Sequence, residues 1–254
     1  MKLLHKTLFS VKKDIKKFIT YLLLLIILYN LIAAVCIGYS KDGLMYTLVL
    51  YFFGSEKIDT MFFMWLFLQT VIIAFGIYKI KEEMNSLLVI RILKIGNILN
   101  YFLSVIARIL IYIIFYYVLF YMVSFLFILF FHELLPINHY LKCVFEMMNC
   151  NYFMLFSTGI LNTFIFILLI CLLAIGIGSL NSSFIILQTF QLVLIFLFKY
   201  NLVIFQYLPL CHGIFSLYNN TFTYQFSWGY QMVLATLLVF AVISRIKKNL
   251  EKYI

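Results

Sequence analysis

Charge and proline are both scarce in this sequence of 254 residues. Charged residues make up 11% of the chain, and its two prolines are Pro136 and Pro209. A soluble domain averages about 25% charged and roughly 45–50% apolar residues, whereas 66% of this chain is hydrophobic. One core of this size cannot enclose so much apolar surface, so lipid must cover the remainder. The composition therefore predicts an integral membrane protein and excludes a soluble domain.

Motifs that would indicate an enzyme are also missing. HELLP, which begins at His132, has Pro136 where a zinc-protease helix carries its second histidine. KEEMNSL resembles a motif of membrane-embedded proteases, but Leu87 stands in place of their arginine. The glycine-rich run at Gly176 has no lysine for binding phosphate, so we do not expect this chain to hydrolyse ATP by itself. We predict no catalytic residue, metal or cofactor in this chain.

The five cysteines follow no metal-binding or redox spacing. Cys36 and Cys171 lie in apolar runs and are expected to be small core residues. Cys143 and Cys150 share one loop, where they either form a disulfide or stay as free thiols. The sequence leaves that choice open.

What the chain does contain is a series of six apolar segments. Each reaches or approaches the roughly 20 residues that a helix needs to cross a bilayer. The segments lie at 18–39, 60–79, 107–131, 152–178, 182–199 and 229–246. We therefore expect an all-α fold, with residues 1–254 forming one transmembrane domain of six spans.

The positive charges are distributed unevenly between the two sides of these spans. Of the nineteen lysines and arginines, fifteen lie before the first span, in the stretch from Lys79 to Arg108, or from Arg245 onward. The other four lie in the connections on the other side or, for Lys199, at the edge of span five. Lysine and arginine are retained on the cytoplasmic side of a membrane, so both termini are predicted to be cytoplasmic. The formal net charge of +10 is thereby explained by topology, without nucleic-acid binding.

Two segments outside the spans have the composition of a membrane interface. Residues 1–17 place apolar side chains on one helical stripe and lysines around it, which favours an interfacial amphipathic helix. The alternative is a basic tail that only sets topology. Residues 200–228 lack Lys, Arg, Asp and Glu but are rich in aromatic residues. That composition predicts a re-entrant or interfacial element outside the cell, before span six.

The connection between spans two and three, from Lys79 to about Arg108, combines charge with apolar periodicity. Its polar face carries Glu83, Ser86, Lys94 and Asn97. Its apolar face carries Leu88, Ile92, Ile95 and Leu99. This pattern predicts a short amphipathic helix parallel to the membrane, with its charged face toward a cytosolic partner. The alternative is a solvated loop that keeps its charges inside the cell.

Charged residues are almost absent from the spans, although several uncharged polar residues are present. Intramembrane charges usually indicate an ion or proton route, so their scarcity disfavours an ion-coupled carrier or channel. The polar residues either line a cavity or polar seam, or form hydrogen bonds that pack the helices. They are Gln69, Thr70, Asn162, Thr163, Gln188 and Gln191.

Together these features resemble the permease subunits of type-2 ABC exporters. In that family the connection between spans two and three is a coupling helix that docks on a separate ATPase. The residues that match its pattern are Glu82, Glu83, Asn85, Ser86, Leu87, Leu88, Arg91, Gly96 and Tyr101. The resemblance implies that the contact with the ATPase is made by Glu82, Glu83, Asn85, Ser86, Leu87, Leu88, Arg91 and Lys94.

The short length is similar to that of peptide-exporter permeases of Gram-positive bacteria, including lantibiotic self-immunity and phenol-soluble modulin transporters. This resemblance implies a bacterial plasma membrane, a cytosolic ATPase dimer that binds ATP and Mg, and a second permease subunit that is the same chain or a paralogue. It further implies an amphipathic or hydrophobic cargo, most simply a peptide, moved out of the cell or the membrane. The alternatives are an ion- or proton-coupled carrier or channel, and an intramembrane enzyme.

Overall fold

The computed structural model describes residues 23–32, 60–83, 98–131, 152–198, 207–209, 212 and 223–250. Within these ranges all regular secondary structure is helical, which confirms the predicted all-α class for this part of the chain. The helices are α1 (Leu23–Ile32), α2 (Thr60–Glu83), α3 (Ile98–Phe131), α4 (Tyr152–Ile177), α5 (Leu180–Phe198) and α6 (Tyr224–Leu250).

Four of these helices are long and apolar enough to cross a membrane. They include Leu99–Ser124 in α3, Phe156–Ile177 in α4, Leu180–Leu197 in α5 and Gln225–Lys248 in α6. α1 is apolar but is described over ten residues only, and α2 ends in the charged sequence KIKEE. The chain thus has the helices of a membrane protein, while six complete spans remain a prediction.

α3 begins nine residues earlier than the predicted third span, at Ile98 rather than 107. Its 34 residues correspond to about 51 Å of helix, compared with a hydrocarbon core of roughly 30 Å. The helix is therefore longer than the apolar layer is thick, and Tyr101 and Arg108 lie in its first turns. α6 also begins early, so residues 224–228 of the predicted interfacial element are helical.

The remaining predicted elements fall largely outside the described residues. The amphipathic segment 1–17 and the middle of the coupling segment, 84–97, lie there. So do Cys36, Cys143, Cys150 and Cys211, while Cys171 is a free thiol on α4.

α4 is the central helix of the bundle. It packs most extensively against α6 and also contacts α5, α3 and α2. Its residues from Asn162 to Leu168 are all buried, which a helix in contact with lipid on one side could not achieve. A helix that is apolar all round and enclosed by its neighbours belongs to the core.

α4 and α5 are joined by a tight turn at Gly178 and Ser179. Gly178 has a φ of +81°, a left-handed conformation that glycine adopts without steric cost. Its N–H donates to the carbonyl of Ala174 at 2.8 Å, which ends α4. The Ser179 hydroxyl accepts the N–H of Ser182 at 3.3 Å and caps α5. This turn holds the two helices as neighbours.

α2 approaches α4 closely at Gly76. A Cβ atom at this position would lie 2.6 Å from Cδ1 of Ile167, and the Ile167 side chain is fully buried. Any larger residue at position 76 must therefore displace the end of Ile167 or separate the helices. Small residues are the usual means by which membrane helices approach each other.

We predict that Gly76→Ala destabilises the protein by about 1 kcal/mol through overpacking. Ile167→Val removes the Cδ1 atom that the new methyl group meets. The double variant should therefore lose less stability than the two single variants lose together. Thermal unfolding in detergent gives the melting temperature of each of the three variants. Gly176→Ala is the control, because nothing lies within 4 Å of a Cβ there. Equal melting temperatures for the two alanine variants would contradict the close approach.

Candidate functional site

The charged end of the bundle, where α2 ends and α3 begins, is held by a cluster around Glu83. Arg108 Nη1 lies 2.7 Å from Glu83 Oε1. The Tyr101 hydroxyl lies 2.9 Å from Glu83 Oε2 and 3.1 Å from the Glu83 carbonyl oxygen. Tyr101 and Arg108 are seven residues apart, which places them on one face of α3. We call Glu83, Tyr101 and Arg108 the Glu83 cluster; it joins the two helix ends.

The two charges of this cluster are shielded from solvent. The exposed fractions of the Arg108 and Glu83 side chains are 17% and 20%. A charge removed from water is tolerated when it is paired and hydrogen-bonded. Removing one of the two charges therefore leaves the other poorly hydrated and without this ion pair. The neighbouring pair Lys79–Glu82, at 2.9 Å, differs because Glu82 is 49% exposed, and exposed pairs contribute little.

The predicted coupling residues are thus only partly placed by the structure. Glu82 and Glu83 occupy the last turn of α2, with Glu82 toward the outside and Glu83 toward α3. The other six lie outside the described residues: Asn85, Ser86, Leu87, Leu88, Arg91 and Lys94. A role in docking on an ATPase stays a prediction for all eight.

A cavity of about 490 Å³ lies beside the Glu83 cluster. Its walls come from α2, α3, α4, α6 and the start of α5, and they are mainly apolar. On α4 the cavity follows one helical stripe, formed by Phe164, Ile167, Leu168, Cys171, Ala174 and Ile175. Its exposed lining residues are Lys81, Gly178 and Asn181, and these define the mouth. This cavity could not be predicted from the sequence, since its lining residues come from five helices and no single segment indicates a cavity.

Farther along the bundle, polar side chains from four helices form hydrogen bonds at one level. Gln191 Nε2 donates to Gln69 Oε1, and Gln188 Nε2 donates to the Thr70 hydroxyl, both at 3.3 Å. These bonds join α5 to α2. We call this set the polar layer; its members are Gln69, Thr70, Tyr116, Tyr117, Thr163, Gln188 and Gln191.

α3 extends the polar layer through two adjacent tyrosines. The Tyr116 hydroxyl donates to the Leu68 carbonyl of α2 at 3.3 Å. The Tyr117 hydroxyl lies 2.8 Å from Thr163 Oγ1 of α4. Because Thr163 donates its own proton to the Gly159 carbonyl, Tyr117 is the donor in that contact. α3 therefore bridges α2 and α4.

The structure thus brings five of the six predicted polar residues into one layer. The sixth, Asn162, is buried beside Thr163, and its Oδ1 has no hydrogen-bond partner among the described residues. Tyr116 and Tyr117 were not predicted as members of this layer, because in IYIIFYYVLFY they are indistinguishable from other aromatic core residues. Their hydroxyl groups could have indicated a polar contact, because a buried hydroxyl group needs a hydrogen-bond partner. The contacts locate these side chains, and a transport role stays a prediction.

A third cluster lies at the start of α6. Nδ1 of the fully buried His212 is 2.8 Å from Ser227 Oγ. The His212 ring stacks on Tyr230, with centroids 4.7 Å apart and planes at 10°. The Tyr230 hydroxyl donates to the Tyr207 carbonyl at 2.9 Å. These contacts attach the described part of segment 200–228 to α6. Among the residues described, no group of three His, Cys, Asp or Glu side chains is placed to hold a metal.

The Glu83 cluster predicts a specific pattern of stability. Glu83→Gln and Arg108→Gln should each lower the unfolding free energy by about 1.5–3 kcal/mol, as expected for hydrogen bonds to charged groups. The double variant should lose less stability than the sum of the two single variants, because neither charge of the ion pair remains. Unfolding titrations in mixed detergent give these values. Glu82→Gln, the exposed neighbour, is the control and should change little; strict additivity would contradict the pairing.

The polar layer predicts coupling between α3 and α4. Tyr117→Phe and Thr163→Val should each destabilise the protein, with a coupling free energy of about 0.6–1.7 kcal/mol between them. A double-mutant cycle in mixed detergent measures this value. Tyr78→Phe, at an exposed position on α2, is the matched control and should have no coupling to Thr163→Val. A cycle that closes without coupling would show that the hydrogen bond contributes nothing.

Comparison of the chain with protein-family models, curated proteins and solved structures found no match. No relative therefore assigns a role to any of these side chains. The function must be inferred from the cavity, the clusters and the sequence patterns.

Proposed function

We propose that the chain is a permease subunit of a type-2 ABC exporter that moves an amphipathic or hydrophobic substrate, most simply a peptide, out of a bacterial cell or membrane. The observation that carries the proposal is the Glu83 cluster. It lies at both ends of segment 84–97, the segment whose sequence resembles a coupling helix. The free energy for transport would come from hydrolysis of ATP, which a separate cytosolic ATPase dimer binds together with Mg.

The Glu83 cluster supports this proposal because it joins the two helices that flank segment 84–97. Arg108 and Tyr101 tie the end of α2 to the extension of α3. A push on segment 84–97 would therefore displace two long helices together instead of fraying one of them. Rigid-body and hinge movements of packed helices are the usual result when a ligand favours one of two arrangements. Glu82, exposed on the same turn, is available to a cytosolic partner.

The outer surfaces of α5 and α6 support a membrane-derived cargo and a second subunit. Both helices expose large apolar side chains, such as Phe190 and Leu197 on α5 and Leu237 and Phe240 on α6. Such faces suit lipid, another permease subunit or the apolar side of an amphipathic peptide. We place the transport path between two such subunits, with both termini in the cytoplasm.

The polar layer favours a second candidate, an ion- or proton-coupled carrier or channel. It crosses four helices and includes the buried pair Gln69 and Gln191. However, its members are amides, hydroxyls and phenols, and none is an acid or base that titrates near neutral pH. Such groups can line a path for a neutral or weakly hydrated solute. A carrier would act without a partner ATPase, so the two candidates are separable.

The test is co-expression with a cytosolic ABC ATPase encoded beside this chain, followed by co-purification in lipid and vanadate-sensitive ATP hydrolysis. We expect a stable complex whose hydrolysis increases with an amphipathic helical peptide. Glu82→Gln combined with Arg91→Gln should keep hydrolysis but reduce peptide transport into inverted vesicles at least tenfold, because the contact with the ATPase is lost. Glu83 is left unchanged, since its substitution would also alter stability.

Lys248→Gln, which removes another exposed charge from the last turns of α6, is the matched control and should transport normally. The melting temperature of the double variant should equal that of the unaltered protein. Normal transport by the double variant would remove segment 84–97 from its role. A folded chain that forms no complex with the ATPase, yet transports by itself, would favour the carrier.

A further inference from the structure

The cavity beside the Glu83 cluster lies inside a single chain, so it is distinct from a transport path between two subunits. It is about 490 Å³ in volume, within the roughly 300–1,000 Å³ range of small-molecule sites. On α4 its lining extends from Phe164 to Ile175, which are eleven residues apart. At 1.5 Å per residue this is about 16 Å of wall, close to the roughly 15 Å of one leaflet of a bilayer core.

The walls of the cavity indicate what can enter it. They are mainly apolar and follow the α4 stripe over about 16 Å. A hydrocarbon chain is a single file of carbons, whose van der Waals contacts are about 4 Å. The cavity therefore has the length and the apolar walls that suit an acyl chain.

The mouth of the cavity carries an exposed lysine. Lys79 is paired with Glu82, and Glu83 is paired with Arg108. Lys81 is exposed, lines the mouth, and forms no ion pair with any residue that the structure describes. Asn181 adds a neutral hydrogen-bonding group at the same opening. Counting only the residues that the structure describes, the mouth thus presents one positive charge without an ion-pair partner above an apolar cavity.

We propose that this cavity binds one acyl chain of an anionic phospholipid, with the phosphate at Lys81 and the hydrocarbon along the α4 stripe. A basic opening between membrane helices attracts anionic headgroups, at about 1 kcal/mol for each lysine near the surface. The acyl chain replaces water or a void against the walls formed by Leu168, Cys171 and Ala174. The bound lipid fills the space between α2, α3, α4 and α6. This inference does not depend on ATP-driven export.

The experiment uses the full chain in nanodiscs that contain phosphatidylglycerol with a diazirine halfway along one acyl chain. A matched phosphatidylcholine probe differs only in its headgroup. After irradiation, mass spectrometry locates the labelled residues. We expect the phosphatidylglycerol probe to label Leu168 and Cys171 at least fivefold more than the phosphatidylcholine probe does. Both probes should label Ile185 and Phe240 equally, because these side chains are exposed on the apolar surface.

Two variants test the two halves of the proposed site. Lys81→Gln should reduce the headgroup preference at Cys171 to less than twofold, whereas Lys248→Gln should preserve it. Ala174→Leu should reduce labelling by both probes at least fivefold by filling the channel, whereas Ala74→Leu, at an exposed position on α2, should not. Lys81 is exposed, so its variant remains informative even where Ala174→Leu fails to fold.

Three results would overturn the proposal. The first is labelling confined to Ile185 and Phe240 with both probes. The second is an unchanged headgroup preference in Lys81→Gln. The third is labelling of Leu168 and Cys171 by a photoreactive amphipathic peptide that displaces the lipid, which would make the cavity a peptide site. None of these measurements involves the ATPase, so failure of the lipid site and failure of the exporter proposal are separately visible.

Discussion

The charged end of this bundle depends on one carboxylate. Glu83 terminates α2 and accepts contacts from both Arg108 and Tyr101 of α3. Without these contacts, the first turns of α3 would carry a poorly hydrated arginine against the end of α2. With them, α2 and α3 form one unit that borders both segment 84–97 and the cavity. The same side chain thus stabilises the fold and connects its charged end to the interior.

The helices of the bundle are held together by different kinds of contact at different levels along its length. At the level of the polar layer, hydrogen bonds join α5 to α2, α2 to α3 and α3 to α4, as in Gln191–Gln69 and Tyr117–Thr163. At the charged end the interior is apolar and holds a cavity that ends at Phe164, next to Thr163. Directional bonds fix the first region. In the second, the Glu83 cluster joins α2 to α3, whereas non-directional contacts line the cavity itself.

Sequence periodicity predicted those features of the fold that depend on local composition. The ends of α4 lie within one residue of the predicted 152–178, because a long apolar run fixes them. The start of α3 was wrong by nine residues, since ILNYFLSVI reads equally as an amphipathic loop helix and as a continued span. Glu83 was recognised as part of a charged turn, but its pairing with Arg108 joins residues from two helices. Such contacts depend on how the helices are placed, and no local pattern reports that.

The arrangement of these regions has a mechanical consequence. The polar layer lies about 21 Å from Glu83, because Gln69 and Glu83 are fourteen residues apart on α2. Helices held at the layer and joined in pairs at the charged end can tilt about the layer without breaking its bonds. The cavity between them is the volume that such a tilt would enlarge or close. Whatever occupies that volume sets the tilt, so a bound acyl chain and a force on segment 84–97 would act on the same movement.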